Sequence, residues 1–200
     1  MDLVMGPHGR RPAAAGRTYA RWLLFCGALI ATGSVITANP LDESRVDVRE
    51  TGGLYRVTAA FAVSEPAHVV MAVLTDYARI PKFMPDVQVS KVLERTPTGA
   101  VVEQEAESRF MMFSKKVHLI LDVREGASAI TFRDRCGRSF TSYQGGWTIT
   151  ESDSLTIVDY ELTARPSFDV PAFVLKRLLR RDASQLIDRI KAEIAAHEIR

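Results

Sequence analysis

The chain has 200 residues, 46% of them hydrophobic and 25% charged. That composition excludes a collagenous, low-complexity or intrinsically disordered chain and leaves one ordinary domain with an extension. The formal net charge of +2 does not signal nucleic acid: residues 1–38 hold Arg10, Arg11, Arg17 and Arg21 against Asp2 alone, so of 26 basic and 24 acidic residues the remainder keeps 22 and 23, a charge near −1.

The first 38 residues have the layout of a secretory signal. A basic segment ends at Arg21, an apolar run follows over 22–38, and Thr37-Ala38 offers a small-residue cleavage site before Asn39-Pro40. The alternative is an uncleaved membrane anchor, since about 17 apolar residues is the lower limit for spanning a bilayer. Either way the domain is expected to be exported, to the periplasm of a bacterium. Residues 39–44 form a linker, and residues 45–200 form the domain. Cys26 lies inside the apolar run behind the bulky Phe25, which does not suit lipid attachment. Cleavage leaves Cys136 alone, either a buried small hydrophobe or a reactive thiol. His8, His68, His118 and His197 are scattered, and CxxC, HExxH, Walker and GxGxxG motifs are absent, so neither metal nor cofactor is expected.

Residues 46–63 alternate well enough for one long first strand, broken at Gly52-Gly53. Ser64-Glu65-Pro66 then starts a helix, with Ser64 as cap and Val69, Val70, Val73 and Leu74 on its apolar side. Asp76 caps a second helical segment over 77–83, and Pro85 ends it. Strand-like runs follow at 87–95, 100–110, 115–125, 128–135, 139–151 and 155–165, separated by turn signals. In the second run Glu103, Glu105, Glu107 and Arg109 point one way, while Val102, Gln104, Ala106 and Ser108 point the other. That is a sheet with one wet and one covered face. Gly145-Gly146 predicts a bulge or sharp bend. The last thirty residues read as a long amphipathic helix: Leu175, Leu179, Ala183, Leu186, Ile190 and Ile194 recur at steps of three and four. Such a helix needs a large apolar partner, and the sheet is the candidate. The architecture is therefore α+β, a curved antiparallel sheet of about six or seven strands around one helix.

The segment Val73-Leu74-Thr75-Asp76-Tyr77-Ala78-Arg79-Ile80-Pro81-Lys82-Phe83-Met84-Pro85-Asp86-Val87 resembles the helix–helix signature of the START-like (SRPBCC) superfamily. Within it the likeness is to the polyketide cyclase/dehydrase and coenzyme-Q-binding, lipid-transport branch. The resemblance extends over about residues 45–198. It implies a helix-grip fold: the sheet grips the C-terminal helix, a hydrophobic cavity lies between them, and the two short helices form the mouth. Such a fold hosts carriers and enzymes alike, so it does not assign a role.

If the acidic face of the 100–110 strand is outside, Val102, Gln104, Ala106 and Ser108 face inward. Small and polar inward residues either leave room for a ligand or accommodate a closely packed helix. Phe110, Phe132, Tyr143, Trp147 and Tyr160 are further inward candidates, with Leu175 and Leu179 from the helix and Phe83 and Met84 at the mouth. Phe110-Met111-Met112-Phe113 at a hairpin tip, together with Arg177, Arg180 and Arg181, suits either contact with a lipid surface or, respectively, a tip folded under the short helices and a solvated helix face. His118, Asp122, Arg133, Asp134, Asp159 and Glu161 offer acid–base chemistry or simply a wet face. Three functions stay open: a carrier for a lipid or quinone-like molecule, a cyclase/dehydratase-type enzyme in which Tyr143, His118 or Arg133 polarises the substrate, and an interaction module with a filled core. The lack of a strong catalytic motif favours the carrier over the enzyme.

Overall fold

The computed structural model describes residues 44–110 and 113–197, without the side chains of Ser108, Arg109, Phe110, Phe113 and Lys115. The residues read as a signal, 1–38, those of the expected linker up to residue 43, Met111 and Met112 lie outside that description. Eight strands, rather than six or seven, form one antiparallel sheet: β1 (Arg45–Thr51), β2 (Leu54–Val63), β3 (Val87–Thr96), β4 (Gly99–Phe110), β5 (Phe113–Glu125), β6 (Ala129–Asp134), β7 (Phe140–Ser152) and β8 (Leu155–Pro166). Their order across the sheet is β1-β2-β8-β7-β6-β5-β4-β3. All chain-adjacent pairs except β2 and β3 are neighbours; those two are joined instead by α1 (Ala67–Thr75), a 3₁₀ turn (Tyr77–Arg79) and α2 (Ile80–Phe83). The last element is α3 (Ala172–His197).

The expected single first strand is a hairpin. Thr51 pairs with Leu54, so Gly52-Gly53 is a two-residue turn, and both glycines have positive φ, 57° and 77°. Two positive φ values in a two-residue loop match the right-handed twist of the flanking strands, and only glycine adopts them without strain. Gly145-Gly146 is not a bulge: β7 keeps its register with β8 across both residues, and the irregularity lies between Phe140 and Ser142. The glycines are needed for space. A Cβ on Gly145 would stand 2.1 Å from the Glu161 carbonyl oxygen and 2.9 Å from the Phe132 ring; one on Gly146 would stand 2.5 Å from the Ile130 carbonyl oxygen. The caps also differ from expectation. Pro66, not Ser64, precedes α1, and neither Pro66 nor Asp76 makes a side-chain cap hydrogen bond.

α3 lies against β1, β2 and α1. Ile187, Ile190 and Ile194 are buried there, in one apolar cluster with Val48, Val57, Ala59 and Val70. Burying such a side chain contributes about 1.5–3 kcal/mol. This is the helix-grip arrangement. α3 covers one side of the curved sheet and leaves a gap toward β4–β7. No helix among the described residues is long and apolar enough to cross a membrane.

Candidate functional site

The gap is a cavity of about 310 Å³. Its wall takes Val102, Gln104 and Ala106 from β4, Val117, Leu119, Leu121 and Val123 from β5, and Ile130 and Phe132 from β6. Tyr143 and Trp147 come from β7, Tyr160 and Leu162 from β8, and Leu179, Ala183, Leu186 and Ile190 from α3. Strand alternation explains the first sets: residues two apart share the concave face. Phe132 lies over Gly145, which has no side chain to displace it.

The enclosed polar atoms are few. Tyr143 and Tyr160 share a side-chain hydrogen bond. Two hydroxyls that share one bond keep one O–H free to donate to a ligand. Tyr143 sits in an aromatic frame, 5.9 Å from the Phe132 ring and 4.9 Å from the Phe140 ring; Tyr160 stacks on Trp147 at 4.4 Å. Desolvation, with the charge of Asp134 second, pushes the Tyr143 hydroxyl up to about 12, and desolvation raises Tyr160 well above its usual value. Both are neutral hydrogen-bonding groups at physiological pH. Tyr143 is accessible from the cavity while shielded from bulk water. Gln104 Nε2 reaches Ser90 Oγ at 3.4 Å.

The mouth is built by the signature segment. Tyr77, buried, donates its hydroxyl to Glu125 Oε1 at 2.7 Å; Arg95 bonds the same oxygen at 2.7 Å and lies 5.3 Å over the Tyr77 ring. This anchors the 3₁₀ turn to the sheet. α2 is tied to α3 in turn: Arg189 Nη1 donates to the Phe83 carbonyl oxygen at 3.1 Å. The turn is also tied: Arg79 Nη2 stands 2.7 Å from Glu193 Oε1. That ion pair is close but poorly aligned, since Arg79 Nε and Glu193 Oε1 are buried with no hydrogen-bond partner. Asp86, Glu107, Asp182, Gln185 and Arg189 add polar groups to the wall alongside Phe83, Met84 and Pro85. Glu107 N donates to the Asp86 carbonyl oxygen at 2.8 Å, which closes the α2 end onto β4.

Of the residues expected from the sequence to line a cavity, Phe83, Met84, Val102, Gln104, Ala106, Phe132, Tyr143, Trp147, Tyr160 and Leu179 stand in this wall. Leu175 does not. It is buried, 5% exposed, but away from the cavity. The wall uses α3 only from Leu179 to Ile190, and a 26-residue helix, about 39 Å long at 1.5 Å per residue, outruns the hollow. The side chains of Ser108, Phe110 and Phe113 lie outside the described set. Arg177 and Arg180 are exposed, and Arg181 is bound to the neighbouring Asp182 at 2.7 Å. The sequence reading missed the β5 residues and the polar mouth set. The alternation of Val117, Leu119, Leu121 and Val123 was the available signal; the mouth set carries none, because it is assembled from three stretches far apart in the chain.

The other titratable candidates are on the outer face. His118 Nε2 stands 3.0 Å from Glu103 Oε1, Asp122 pairs with Arg135 at 3.3 Å, and Glu161 stands 3.7 Å from Arg56. Neither His118 nor Arg133 lines the cavity, so neither can polarise a molecule held there. Asp134 is a loop organiser: its carboxylate accepts from the backbone N–H groups of Ile120, Cys136 and Gly137 at 3.0, 3.2 and 3.0 Å. Burial works against its charged form, yet these bonds together hold its pKa below the usual carboxylate value. Among the described residues, no serine, cysteine, histidine or lysine lines the cavity.

The sequence matches the family profile described as polyketide cyclase/dehydrase and lipid transport over residues 63–191. No curated protein matches it. Solved structures share the fold at low identity. The STAR-related lipid transfer protein from Xanthomonas axonopodis superposes with a TM-score of 0.63 at 19% identity, covering 79% of this chain and 97% of that one. The Zhui aromatase/cyclase from Streptomyces sp. R1128 gives 0.61 at 15%, covering 74% and 96%. Human STARD10 gives 0.59 at 14%, covering 75% and 73%. At such identities the likeness establishes the fold.

Proposed function

The chain belongs to the polyketide cyclase/dehydrase and lipid transport family, and on that premise we propose that it binds and carries a hydrophobic small molecule, lipid or quinone-like, in the cavity between α3 and the sheet. The observation that carries this is the hollow itself, about 310 Å³ walled by aliphatic and aromatic side chains, with one spare hydroxyl donor in the Tyr143–Tyr160 pair. That volume is at the small end of what holds a drug-sized molecule. A compact ligand fits whole, whereas a long acyl chain extends through the mouth. An interaction module with a filled core is disfavoured by the same hollow. The enzyme alternative is left with Tyr143 alone of its three polarising groups, and with no histidine in the wall among the described residues to move a proton.

The signal-like residues 1–38 support an exported protein working in the bacterial cell envelope. Contact with an anionic bilayer has one supporting feature. Phe173, at the start of α3, is 76% exposed and is followed by Lys176, Arg177 and Arg180 on the same stretch of helix.

The test is ligand capture. Purified protein is expected to carry an apolar metabolite detectable by native mass spectrometry, or after delipidation to take up a fluorescent fatty acid or a short-chain quinone at one site per chain. If neither is held at any concentration below the probe's solubility, the carrier proposal fails. Vesicle flotation with and without anionic lipid tests the surface contact. Phe173→Ser is expected to reduce flotation, and equal flotation of both proteins ends the idea.

A further inference from the structure

On the outer face of the sheet, opposite the cavity, Glu103 and Glu105 project from β4 at alternate positions, and His118 is the register partner of Glu105 on β5. Carboxylate oxygens of both glutamates and one imidazole nitrogen all lie within 4.8 Å of one another. His118 Nε2 and Glu103 Oε1 are already 3.0 Å apart. A zinc ion with oxygen and nitrogen ligands at about 2.0–2.2 Å needs donor atoms about 3.3 Å from each other. The three groups therefore need only small side-chain rotations to share one ion.

Backbone and ring contacts both place His118 here. Its backbone N–H donates to Ser139 Oγ at 3.0 Å; in the ring, Nδ1 lies 3.8 Å from Cys136 Sγ and Nε2 faces Glu103. A metal-bound histidine characteristically engages its second ring nitrogen with another group in this way. A bare histidine–glutamate pair accounts for Glu103 but not for Glu105. Glu105 is exposed and has no ion-pair or hydrogen-bond partner among the described residues, yet its carboxylate stays beside that of Glu103. The facing cations are Lys91 on β3, the register partner of Glu103, and Lys116 on β5, two residues from His118 on the same face.

We propose that Glu103, Glu105 and His118 bind a first-row divalent ion, Zn²⁺ being the best match, with the remaining coordination taken by water. The imidazole argues against calcium or magnesium, which prefer all-oxygen sets. The inner faces of the same two strands carry Gln104, Ala106, Val117 and Leu119 of the cavity wall. The ion would thus clamp that wall from outside, whatever the cavity holds.

The experiment uses the full chain without a histidine tag, stripped with a chelator and titrated with Zn²⁺ against a chromophoric zinc indicator. One site per chain is expected, with a rise in melting temperature on loading. His118→Gln and Glu105→Gln should each weaken it tenfold or more. Glu105→Gln decides the matter, because the exposed residue makes no contact that folding needs. Absence of stoichiometric binding, or indifference to Glu105→Gln, would overturn the assignment.

Discussion

Tyr143 and Tyr160 concentrate the polar character of an otherwise oily interior in two adjacent hydroxyls, and their ionisation has a consequence for the fold. Both pKa values are raised by desolvation, Tyr143 to about 12. In the unfolded chain each phenol loses its proton near pH 10, so between about pH 10 and 12 the unfolded state binds fewer protons than the native one. The stabilisation from keeping these phenols neutral is complete below pH 10 and is lost as the pH rises toward 12. Urea midpoints at successive pH values are expected to be flat to about pH 9 and to fall above 10, and Tyr143→Phe should make the fall shallower. The same variant removes a hydrogen-bonding group from the cavity. It should weaken a carbonyl-bearing quinone by about fivefold to tenfold, as expected for one lost hydrogen bond, and a plain hydrocarbon much less. Titration of both ligands into both proteins checks this. That the two tyrosines face inward followed from alternation along β7 and β8. That they bond to each other did not, because strand pairing sets their separation, and pairing is a property of the assembled sheet.

Among the elements, β7 and the short helices carry the strongest constraints. Gly145 is flanked by the Glu161 carbonyl and the Phe132 ring at distances no Cβ tolerates. Gly145→Ala should destabilise by about 1–3 kcal/mol, as overpacking does, and more where the strand cannot shift. The midpoint of chemical denaturation measures it. At the mouth, the 3₁₀ turn and α2 are held to α3 by Arg79–Glu193 and by Arg189 on the Phe83 carbonyl oxygen. Both partners of the ion pair are largely buried, with side chains 22% and 13% exposed. Removing one charge leaves the other uncompensated, which is the costly outcome for a buried pair. Glu193→Gln should therefore lower stability and, because the tie spans the mouth, speed ligand exchange several-fold in stopped-flow displacement. An unchanged exchange rate would show that the ligand enters elsewhere. The helical signature around Asp76-Tyr77 and Pro81 was visible in the chain. The hairpin at Gly52-Gly53 was not read, although two signals marked it: the inward positions change phase, from Val46 and Val48 to Tyr55 and Val57, and Gly-Gly is a two-residue hairpin turn.

For the whole molecule, the governing fact is that α3 packs against β1, β2 and α1 and leaves the β4–β7 side unfilled. Filling that space should abolish uptake without unfolding the protein. Ala106→Trp places a large ring in the wall opposite α3; it is expected to eliminate probe binding while the melting temperature stays within a few degrees of the parent. A protein that still binds with the ring in place has its ligand elsewhere. The sequence by itself determined the α+β class, the long amphipathic helix, the alternating strands and, through alternation, most of the inward residues, because periods of 2 and 3.6 are local properties of the backbone. Only the tertiary structure decided that the interior is hollow, which stretch of α3 faces it, that His118 and Arg133 stand outside it, and that Glu103, Glu105 and His118 converge. Those outcomes depend on register and on where α3 comes to rest, and both arise from contacts between residues far apart in the chain.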